Sequence, residues 1–268
     1  MYSGGRRDAG RAYGGLMGTM YEKLFGNVMA LNRYLRMQYI LPVVGQVADA
    51  VVLDLGCLDG HFTQYLTGRG NCVHAVDIRD YGIRRALPTV RFCRGSGARL
   101  PYADASFDFL FCSDVVEHVP RYEEFIPEIS RVLKPGGTCL LSTVDGYWHS
   151  PVRLRAWFRR HLPAAWHQKL LGRFAVSDED LHRDFMGHVR YDLTMARVTD
   201  DFARGGLTVV AQCAYCHAAG SLLVELFFSF NESIRYFIFP LLRALLPLDR
   251  WLVAGKPWQY YLLLRKNV

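Results

Sequence analysis

VVLDLGCLDG, residues 51–60, is a short apolar run that ends in a glycine turn. A run of this kind predicts a buried strand of a parallel sheet. GHFTQYLTG (60–68) follows, with Phe62, Tyr65 and Leu66 at helical spacing and a glycine at its end, which predicts a helix. Strand, tight turn and helix in this order are the repeating unit of a doubly wound α/β sheet.

The same unit recurs along the chain. Further strands are predicted at CVHAVD (72–77), TVRFC (89–93), FDFLFC (107–112), GTCLLSTV (137–144), LTVVAQC (207–213) and WQYYLLLR (258–265). Helices are predicted before the strand at 137, where Lys134-Pro135-Gly136-Gly137 closes the helix, and near 194–204. The expected fold class is therefore α/β, a doubly wound, seven-stranded, mostly parallel sheet with N-terminal helices and two mainly helical insertions.

The interruptions of this rhythm predict the domain organisation. We expect one domain over 1–268, with an N-terminal helical extension (1–45) and a sheet core (46–146, 189–213 and 257–266). The cap insertions would be residues 147–188 and 214–256. Loops at the carboxyl ends of parallel strands build the ligand site in such sheets, and the first insertion leaves from such an end.

Composition and charge narrow the function classes. With 51% hydrophobic and 21% charged residues in 268, the chain is globular rather than disordered or of low complexity. A net charge of +7 suits an anionic partner without separating nucleic acid, phospholipid and phosphorylated substrate. No apolar segment follows the N-terminal arginines, and most cysteines fall in apolar runs, so a cytoplasmic location is predicted.

Two acidic positions and a glycine turn point to a nucleotide-like ligand. The turn from Asp54 to Gly60 lets backbone N–H groups at a helix N-terminus approach a ligand closely. Asp77 ends the next strand, where a carboxylate accepts hydrogen bonds from ribose hydroxyls. The patterns G-x-G-x-x-G and G-x-x-x-x-G-K are absent, which argues against nicotinamide cofactors and nucleoside triphosphates. The pair therefore predicts an adenosine-containing cofactor.

Four ordered motifs resemble one family. LDLGCLDG, HAVD, RGSGARLPYADASFDFLFCSDVVEHV and FIPEISRVLKPGG together resemble class I S-adenosylmethionine-dependent methyltransferases, in particular the broad group with FD-x-x-x-x-x-D-x-x-EH on the fourth strand. The resemblance covers residues 50–145, and more weakly GHVRYDLT and the terminal strands. It implies a Rossmann-like methyltransferase fold, S-adenosyl-L-methionine as cofactor, and transferase activity.

The resemblance also implies roles for single residues. The methionine part of the cofactor would be held by Asp54, Gly56, Cys57 and Gly60. Asp77 would bind the ribose, and the adenine would contact Ile78, Ser96, Gly97 and Ala98. Ser113 and Asp114 would lie beside the sulfonium methyl. The sequence departs from the family at Leu58, where the family has glycine, and at Ser96, where it has an acidic residue. Both departures fit an alternative: a catalytically silent methyltransferase fold that acts as a membrane-docked binding protein.

Methyl transfer to a hydroxyl needs a general base, because the pKa of an alcohol lies far above neutrality. Asp114 and His118 follow the fourth strand and are the candidate bases. His149 and His188, at the two ends of the first insertion, are rival candidates. Asp114, Glu117 and His118 also resemble a metal-binding cluster of ubiquinone-pathway O-methyltransferases. We nevertheless expect no bound metal here. Instead we expect Glu117 and His118 to support the helix that follows them. The predicted reaction is O-methylation of a small-molecule or lipid-linked acceptor such as a glycan, polyketide or quinone-like compound.

The two insertions combine apolar and basic residues. Residues 151–174 carry six Arg or Lys residues and no acid, with Leu154, Trp157 and Phe158 on one side of a predicted helix. Residues 221–248 carry Glu225, Ser229, Glu232 and Arg235 at helical spacing beside a wide apolar face. Each insertion is either a lid over the core or a contact with an anionic membrane surface, and we expect the membrane. Nucleic acid is not expected, since no binding module is present.

Overall fold

The computed structural model describes residues 31–145, 157, 160–163, 166, 190, 192–230 and 232–268. Its centre is one seven-stranded sheet with strand order β3-β2-β1-β4-β5-β7-β6. The strands are β1 (Val51–Leu55), β2 (Cys72–Asp77), β3 (Arg91–Arg94), β4 (Phe107–Ser113), β5 (Leu133–Val144), β6 (Leu207–Tyr215) and β7 (Gln259–Lys266). β1 to β5 are parallel, and β7 runs antiparallel to both β5 and β6. The predicted fold class is confirmed.

The strand order creates the crevice in which such folds bind ligands. From β1 the chain moves outward to β2 and β3, then crosses back to place β4 on the other side of β1. The loops that leave β1 and β4 therefore diverge to opposite sides of the sheet. The space between their carboxyl ends stays open, as at the switch point of any doubly wound sheet.

The helices surround this sheet. They are α1 (Leu31–Val44), α2 (Thr63–Leu66), α3 (Ile83–Ala86), a 3₁₀ turn (Val116–His118), α4 (Tyr122–Val132), α5 (Met195–Arg204), α6 (Ala218–Ser229), α7 (Glu232–Leu245) and α8 (Leu248–Trp251). α5 begins where the sequence predicts, because the Thr194 side chain accepts a hydrogen bond from the Arg197 amide (3.3 Å). α2 is shorter than the predicted 60–68 helix.

β5 begins four residues earlier than the sequence predicts. Lys134-Pro135-Gly136-Gly137 was expected to close the preceding helix, and instead these residues lie within β5. Leu133 pairs with Phe107 and Thr138 pairs with Phe109, so one partner strand advances two residues while β5 advances five. The extra residues form a bulge, in which Gly136 takes a positive φ of 75° that favours glycine.

Apolar side chains form cores on both faces of the sheet. One face packs against α4 and α5, with Phe125, Ile129 and Phe202 fully buried. The other face packs against the second half of α1 and against α2 and α3. A third cluster joins the first half of α1 to α6 and α7, where Leu35, Phe227 and Phe239 are fully buried. α1 therefore connects the sheet to the second insertion.

The second insertion turns its polar residues inward. Glu225, Ser229 and Arg235 are each at most 2% exposed, and the Arg235 Nε donates to the Phe227 carbonyl (3.1 Å). Phe237, in contrast, is 87% exposed. These three polar residues, which recur at helical spacing in the sequence, are thus buried between the helices of the insertion. Within the described residues, no helix has the length and apolar character needed to cross a bilayer.

Candidate active site

A cavity of about 730 Å³ opens at the carboxyl ends of β1, β2 and β4. Its size is that of ordinary small-molecule and cofactor sites. The lining comes from α1 (Asn32, Arg33, Arg36), from residues 54–59, 61–62, 76–79 and 81, from residues 95–97, and from residues 111, 113–115, 118–120 and 125. These segments include most of the site residues predicted from the sequence.

The turn after β1 forms the floor of the cavity. The Gly56 amide donates to the Val76 carbonyl (2.8 Å), which ties the turn to β2. Gly56 has a φ of 80°, and a Cβ at this position would lie 2.2 Å from a methyl carbon of Val115. Only glycine fits this approach between the β1 and β4 loops. Cys57 lines the cavity, whereas Gly60 lies outside the lining and packs against Ile83 and Leu87 of the α3 region.

Leu58 takes a backbone conformation that usually requires glycine. Its φ is 49°, in the left-handed region, which is uncommon for a residue with a bulky side chain. Its amide donates to the Asp77 Oδ2 (3.0 Å), and its side chain, 38% exposed, lines the cavity. The leucine that replaces the family's glycine therefore takes a left-handed backbone conformation, and its side chain adds an apolar wall to the cavity.

Asp77 and its neighbours form the rim at the end of β2. The Asp77 carboxylate accepts the Leu58 amide at Oδ2 and the Arg79 amide at Oδ1 (3.0 Å), which fixes its orientation. Ile78 is 64% exposed beside it and offers a flat apolar contact.

The loop after β3 completes that side of the cavity. Ser96 and Gly97 line it, and a Cβ on Gly97 would lie 2.2 Å from the ring of Phe125. Ala98 lies outside the lining, where its amide donates to the Ser96 Oγ (3.3 Å). Ser96 thus holds the loop through this hydrogen bond and is itself part of the cavity lining.

Asp54 is a buried acid on the cavity floor. Its side chain is 2% exposed and accepts a hydrogen bond from the Thr63 hydroxyl (2.6 Å). Burial raises the pKa of Asp54 to about 7, and the nearby Asp77 charge adds to the shift. A cation placed beside Asp54 would favour its ionised form, so this acid favours a positively charged ligand.

The carboxyl end of β4 carries a second acid, paired with an arginine from α1. Arg36 donates from Nη1 to the Ser113 Oγ (2.9 Å) and forms an ion pair with the Asp114 Oδ2. Burial raises the pKa of Asp114, while the charges of Arg36 and His118 oppose the rise. The Arg36 Nε and the Asp114 Oδ1 are buried and find no hydrogen-bond partner among the described residues. Both groups therefore have capacity left for a bound molecule.

Sequence reasoning missed the arginines of α1. Arg33 forms an ion pair with Asp59 (2.8 Å), and Arg36 lies one turn further along the helix, so both reach the same cavity. The only signal in the sequence was the apolar pair Leu31 and Leu35, which anchors α1 in a core and so turns the adjacent face toward the sheet. The sequence alone gave no reason to link this helix to the β4 loop.

The remaining candidates are placed differently. His118 is exposed at the cavity rim, whereas Glu117 is 1% exposed and accepts a hydrogen bond from the Thr143 hydroxyl (2.8 Å) on β5. Among the described residues, no group of three or more His, Cys, Asp or Glu side chains is arranged to hold a metal ion. His149 and His188 lie outside the described residues, as does most of the 151–174 segment.

The residues present fit S-adenosyl-L-methionine. The cavity combines a fixed carboxylate that could bind a ribose (Asp77), apolar walls that could contact an adenine (Leu58 and Ile78), and acids that could lie near a sulfonium (Asp54 and Asp114). Buried acids favour a sulfonium cation, and the fixed Asp77 carboxylate suits a pair of hydroxyl donors.

Comparison with known proteins finds similarity to methyltransferases. Residues 53–141 match the methyltransferase domain family. A protein of Mycolicibacterium smegmatis named "Probable S-adenosylmethionine-dependent methyltransferase" is 31% identical over 167 residues, 60% of this chain and 62% of that protein. The ubiquinone biosynthesis O-methyltransferase of Leptothrix cholodnii is 28% identical over 122 residues, 41% of this chain and 51% of that protein.

A solved structure shows the same fold. The S-adenosylmethionine-dependent methyltransferase of Mesorhizobium loti aligns with a TM-score of 0.54 at 18% identity, over 86% of this chain and 97% of that one. The chain spans between 25% and 62% of the length of the first curated relatives that it matches. Residues 53–141 therefore match a methyltransferase domain, and the seven-stranded sheet has the fold of class I S-adenosylmethionine-dependent methyltransferases.

Proposed function

We propose that this protein transfers a methyl group from S-adenosyl-L-methionine to an oxygen atom of a small-molecule or lipid-linked acceptor. The observation that carries the proposal is the cavity between β1, β2 and β4, where residues predicted from separate motifs meet around one space. A glycan, a polyketide or a quinone-like compound is the class of acceptor that we expect. The similarity to ubiquinone O-methyltransferases supports oxygen as the methylated atom.

Each end of the cavity would hold a different part of the cofactor. Asp77 would accept the ribose hydroxyls, while Leu58 and Ile78 would contact the adenine. The turn that begins at Gly56 and Cys57 would receive the methionine end beside Asp54. The cofactor supplies, when bound, a methyl group on a positively charged sulfur, and the acids of the cavity favour that charge.

Asp114 is the general base of the proposed reaction. Its Oδ1 is buried without a partner among the described residues, and its raised pKa makes it a better proton acceptor than a solvated aspartate. As the acceptor oxygen bonds to the methyl carbon and the carbon–sulfur bond breaks, the hydroxyl proton would pass to Asp114, which is held in place by Arg36, itself bonded to the Ser113 hydroxyl. Positioning of the acceptor in line with the methyl supplies most of the catalysis. His118 at the rim is the second candidate base.

Calorimetric titration with S-adenosylhomocysteine tests the cofactor site. We expect micromolar binding by the natural chain and a loss of about tenfold or more in Asp77→Asn, since an amide accepts the ribose hydroxyls less well than a carboxylate. Asp80→Ala is the matched control, because Asp80 is a nearby acid outside the cavity lining. Equal affinity in Asp77→Asn and Asp80→Ala would contradict the assignment. Absence of binding by the natural chain would favour the silent-fold alternative.

A labelled-methyl assay tests the base. In a panel of phenolic, sugar and lipid-linked hydroxyl compounds, Asp114→Asn is expected to lower turnover by about 100-fold or more while it retains S-adenosylhomocysteine binding. His118→Gln is the comparison variant. A greater loss in His118→Gln than in Asp114→Asn would move the role of base to the histidine.

A further inference from the structure

The outer side of the second insertion exposes large apolar side chains. We define the α7–α8 surface as Phe237, Leu241, Leu248, Trp251, Leu252 and Val253, whose exposed fractions are 87%, 62%, 40%, 82%, 55% and 67%. Phe237 and Leu241 are four residues apart on α7 and share one face, and Leu248 and Trp251 lie one turn apart on α8. Grouped apolar exposure of this kind marks an interaction site rather than ordinary surface.

The surface is held rigidly from within. Asp249 of α8 is fully buried and accepts hydrogen bonds from the Tyr39 hydroxyl (2.8 Å), the Cys216 amide (2.9 Å) and the Gly220 amide (2.9 Å). Arg235 of α7 is also buried. The interior side of α7 combines Arg235 with the buried apolar side chains Phe239 and Leu242, so this helix has apolar side chains on its exposed face as well as in the core, unlike a helix that only covers a core in water.

The charges around the surface have one sign. Within residues 233–256 the exposed charged side chains are Arg243, Arg250 and Lys256, and the single acid, Asp249, is buried. Exposed tryptophan and leucine flanked by basic residues is the composition of a segment that lies in the headgroup region of a membrane. A protein partner would be expected to meet this surface with acids, and a lipid bilayer meets it with phosphates.

A groove between α1 and the junction of α7 and α8 adds a second observation. It encloses about 540 Å³ and is lined mainly by apolar side chains, with Arg243 among its residues. The Gln38 side chain also lines it, and its Nε2 is buried with no hydrogen-bond partner among the described residues. A cation and an unused donor beside apolar walls suit the phosphate and first chain carbons of a phospholipid.

We propose that the α7–α8 surface docks on an anionic phospholipid bilayer, with Trp251 and its neighbours inserted into the headgroup region. The inference goes beyond the proposed methyl transfer and does not depend on it, because none of these six residues lines the active-site cavity. It assigns a membrane contact to the second insertion.

Vesicle co-sedimentation of the full chain tests the docking. We expect binding to vesicles of phosphatidylglycerol and phosphatidylcholine, weaker binding as salt rises, and little binding to phosphatidylcholine alone. The double variant Trp251→Ser, Leu252→Ser should lower the partition coefficient by about tenfold or more, since two inserted apolar side chains are lost. Val210→Ser, at a 44% exposed valine on β6, is the matched control and should bind as the natural chain does.

Two readouts separate this proposal from its rivals. Brominated lipids should quench tryptophan fluorescence in the natural chain, and most of that quenching should be absent in Trp251→Phe. Absence of sedimentation with anionic vesicles would overturn the proposal, as would equal effects of the surface and control variants. Quenching that persists in Trp251→Phe would place the membrane contact elsewhere in the chain. If the natural chain bound no vesicles but self-associated, and the double variant abolished that self-association, the surface would be a dimer interface. S-adenosylhomocysteine affinity should be unchanged in every variant, which distinguishes this test from that of the active site.

Discussion

Arg36 and Asp114 are the residue pair on which the proposed reaction depends most closely. The guanidinium is 6% exposed and reaches both Ser113 and Asp114, so it lowers the cost of keeping the buried carboxylate ionised. S-adenosyl-L-methionine carries a positive sulfur and S-adenosylhomocysteine does not. An ionised Asp114 should therefore distinguish the two compounds, whereas contacts to ribose and adenine should not.

Removal of the Arg36 charge should shift this distinction along the pH scale. In Arg36→Met the pKa of Asp114 rises further, because burial still acts and the main opposing charge is absent. The pH above which S-adenosyl-L-methionine gains affinity over S-adenosylhomocysteine should accordingly move upward. Calorimetric titration of both compounds between pH 5 and pH 9 measures the shift. An unchanged midpoint in Arg36→Met would show that the pair does not govern the ionisation.

Glu117 predicts a dependence of stability on pH that is separate from ligand binding. Burial, helped by the Asp114 charge, raises the pKa of Glu117 from an ordinary value of 4.5 to about 8. The folded chain then binds this proton more tightly than the unfolded chain, so Glu117 lowers the free energy of unfolding progressively as pH rises from 4.5 to about 8. Glu117→Gln keeps an acceptor for Thr143 and removes the titration.

We expect Glu117→Gln to melt several degrees higher than the natural chain at pH 9 and at nearly the same temperature at pH 4.5. Thermal unfolding followed by circular dichroism at the two pH values checks this. Glu123→Gln, at an exposed carboxylate, is the control. A gain that is equal at both pH values would mean that the carboxyl is not titrating in this range.

Among the secondary-structure elements, α1 and α8 are joined by a single buried acid. Asp249 accepts hydrogen bonds from Tyr39 of α1, from the residue after β6 and from the first turns of α6. Three elements distant in sequence therefore depend on one carboxylate. Loss of the acceptor would leave buried donors unsatisfied, which is more costly than loss of a surface contact.

Asp249→Ala should lower the free energy of unfolding by about 3 kcal/mol or more. Asp104→Ala, which removes an exposed partner of Arg131, should cost less than about 1 kcal/mol. Urea unfolding of both variants provides the comparison. A similar cost for the two would show that water satisfies the donors around Asp249 and that α8 is loosely attached.

At the scale of the whole molecule, the candidate active site lies between the sheet and helix α1. The cavity takes its floor from β1 and β2, its acid from β4, and Asn32, Arg33 and Arg36 from α1. α1 in turn packs its first half on α6 and α7 and its second half on the sheet. A ligand in the cavity should therefore stabilise α1 as well as the loops that follow β1 and β2.

Hydrogen exchange detects this coupling. Saturating S-adenosylhomocysteine should slow amide exchange in the first half of α1 as well as in the loops after β1 and β2. β6 does not line the cavity and should change little beyond the general increase in stability. Slowed exchange in the β1 and β2 loops with no change in α1 would contradict the placement of Arg33 and Arg36 in the site.

The strands and the cofactor loop could be predicted from the sequence because their determinants are local. Apolar runs such as VVLDL and CVHAVD need burial on both faces wherever they occur, and a glycine turn after a strand has few other uses. Asp77 follows its strand directly, so knowledge of the strand is enough to place it at the rim. Asp114 was placed in the same way by its position after the fourth strand, whereas Ser96 and Ser113 were implied by the resemblance to methyltransferases.

Other features depended on contacts between distant segments. The bulge that brings Lys134-Pro135-Gly136-Gly137 into β5 depends on pairing with β4, which no local pattern reveals. Gly60 and Ala98 match family positions in sequence, but packing against α3 and the turn at Ser96 keep them out of the lining. The inward direction of Glu225, Ser229 and Arg235 required knowledge of their neighbours in the cap.

By itself the sequence determined a doubly wound sheet with an adenosine-type site, because strand burial, glycine turns and acids at strand ends act over a few residues each. Only the tertiary structure decided that α1 supplies Arg36 to the site, that Glu117 faces β5, and that the second insertion buries Glu225, Ser229 and Arg235 while part of its apolar surface stays exposed. Those outcomes depend on which segments meet in space. A helix pattern states which side chains share a face, whereas its partners decide where that face points.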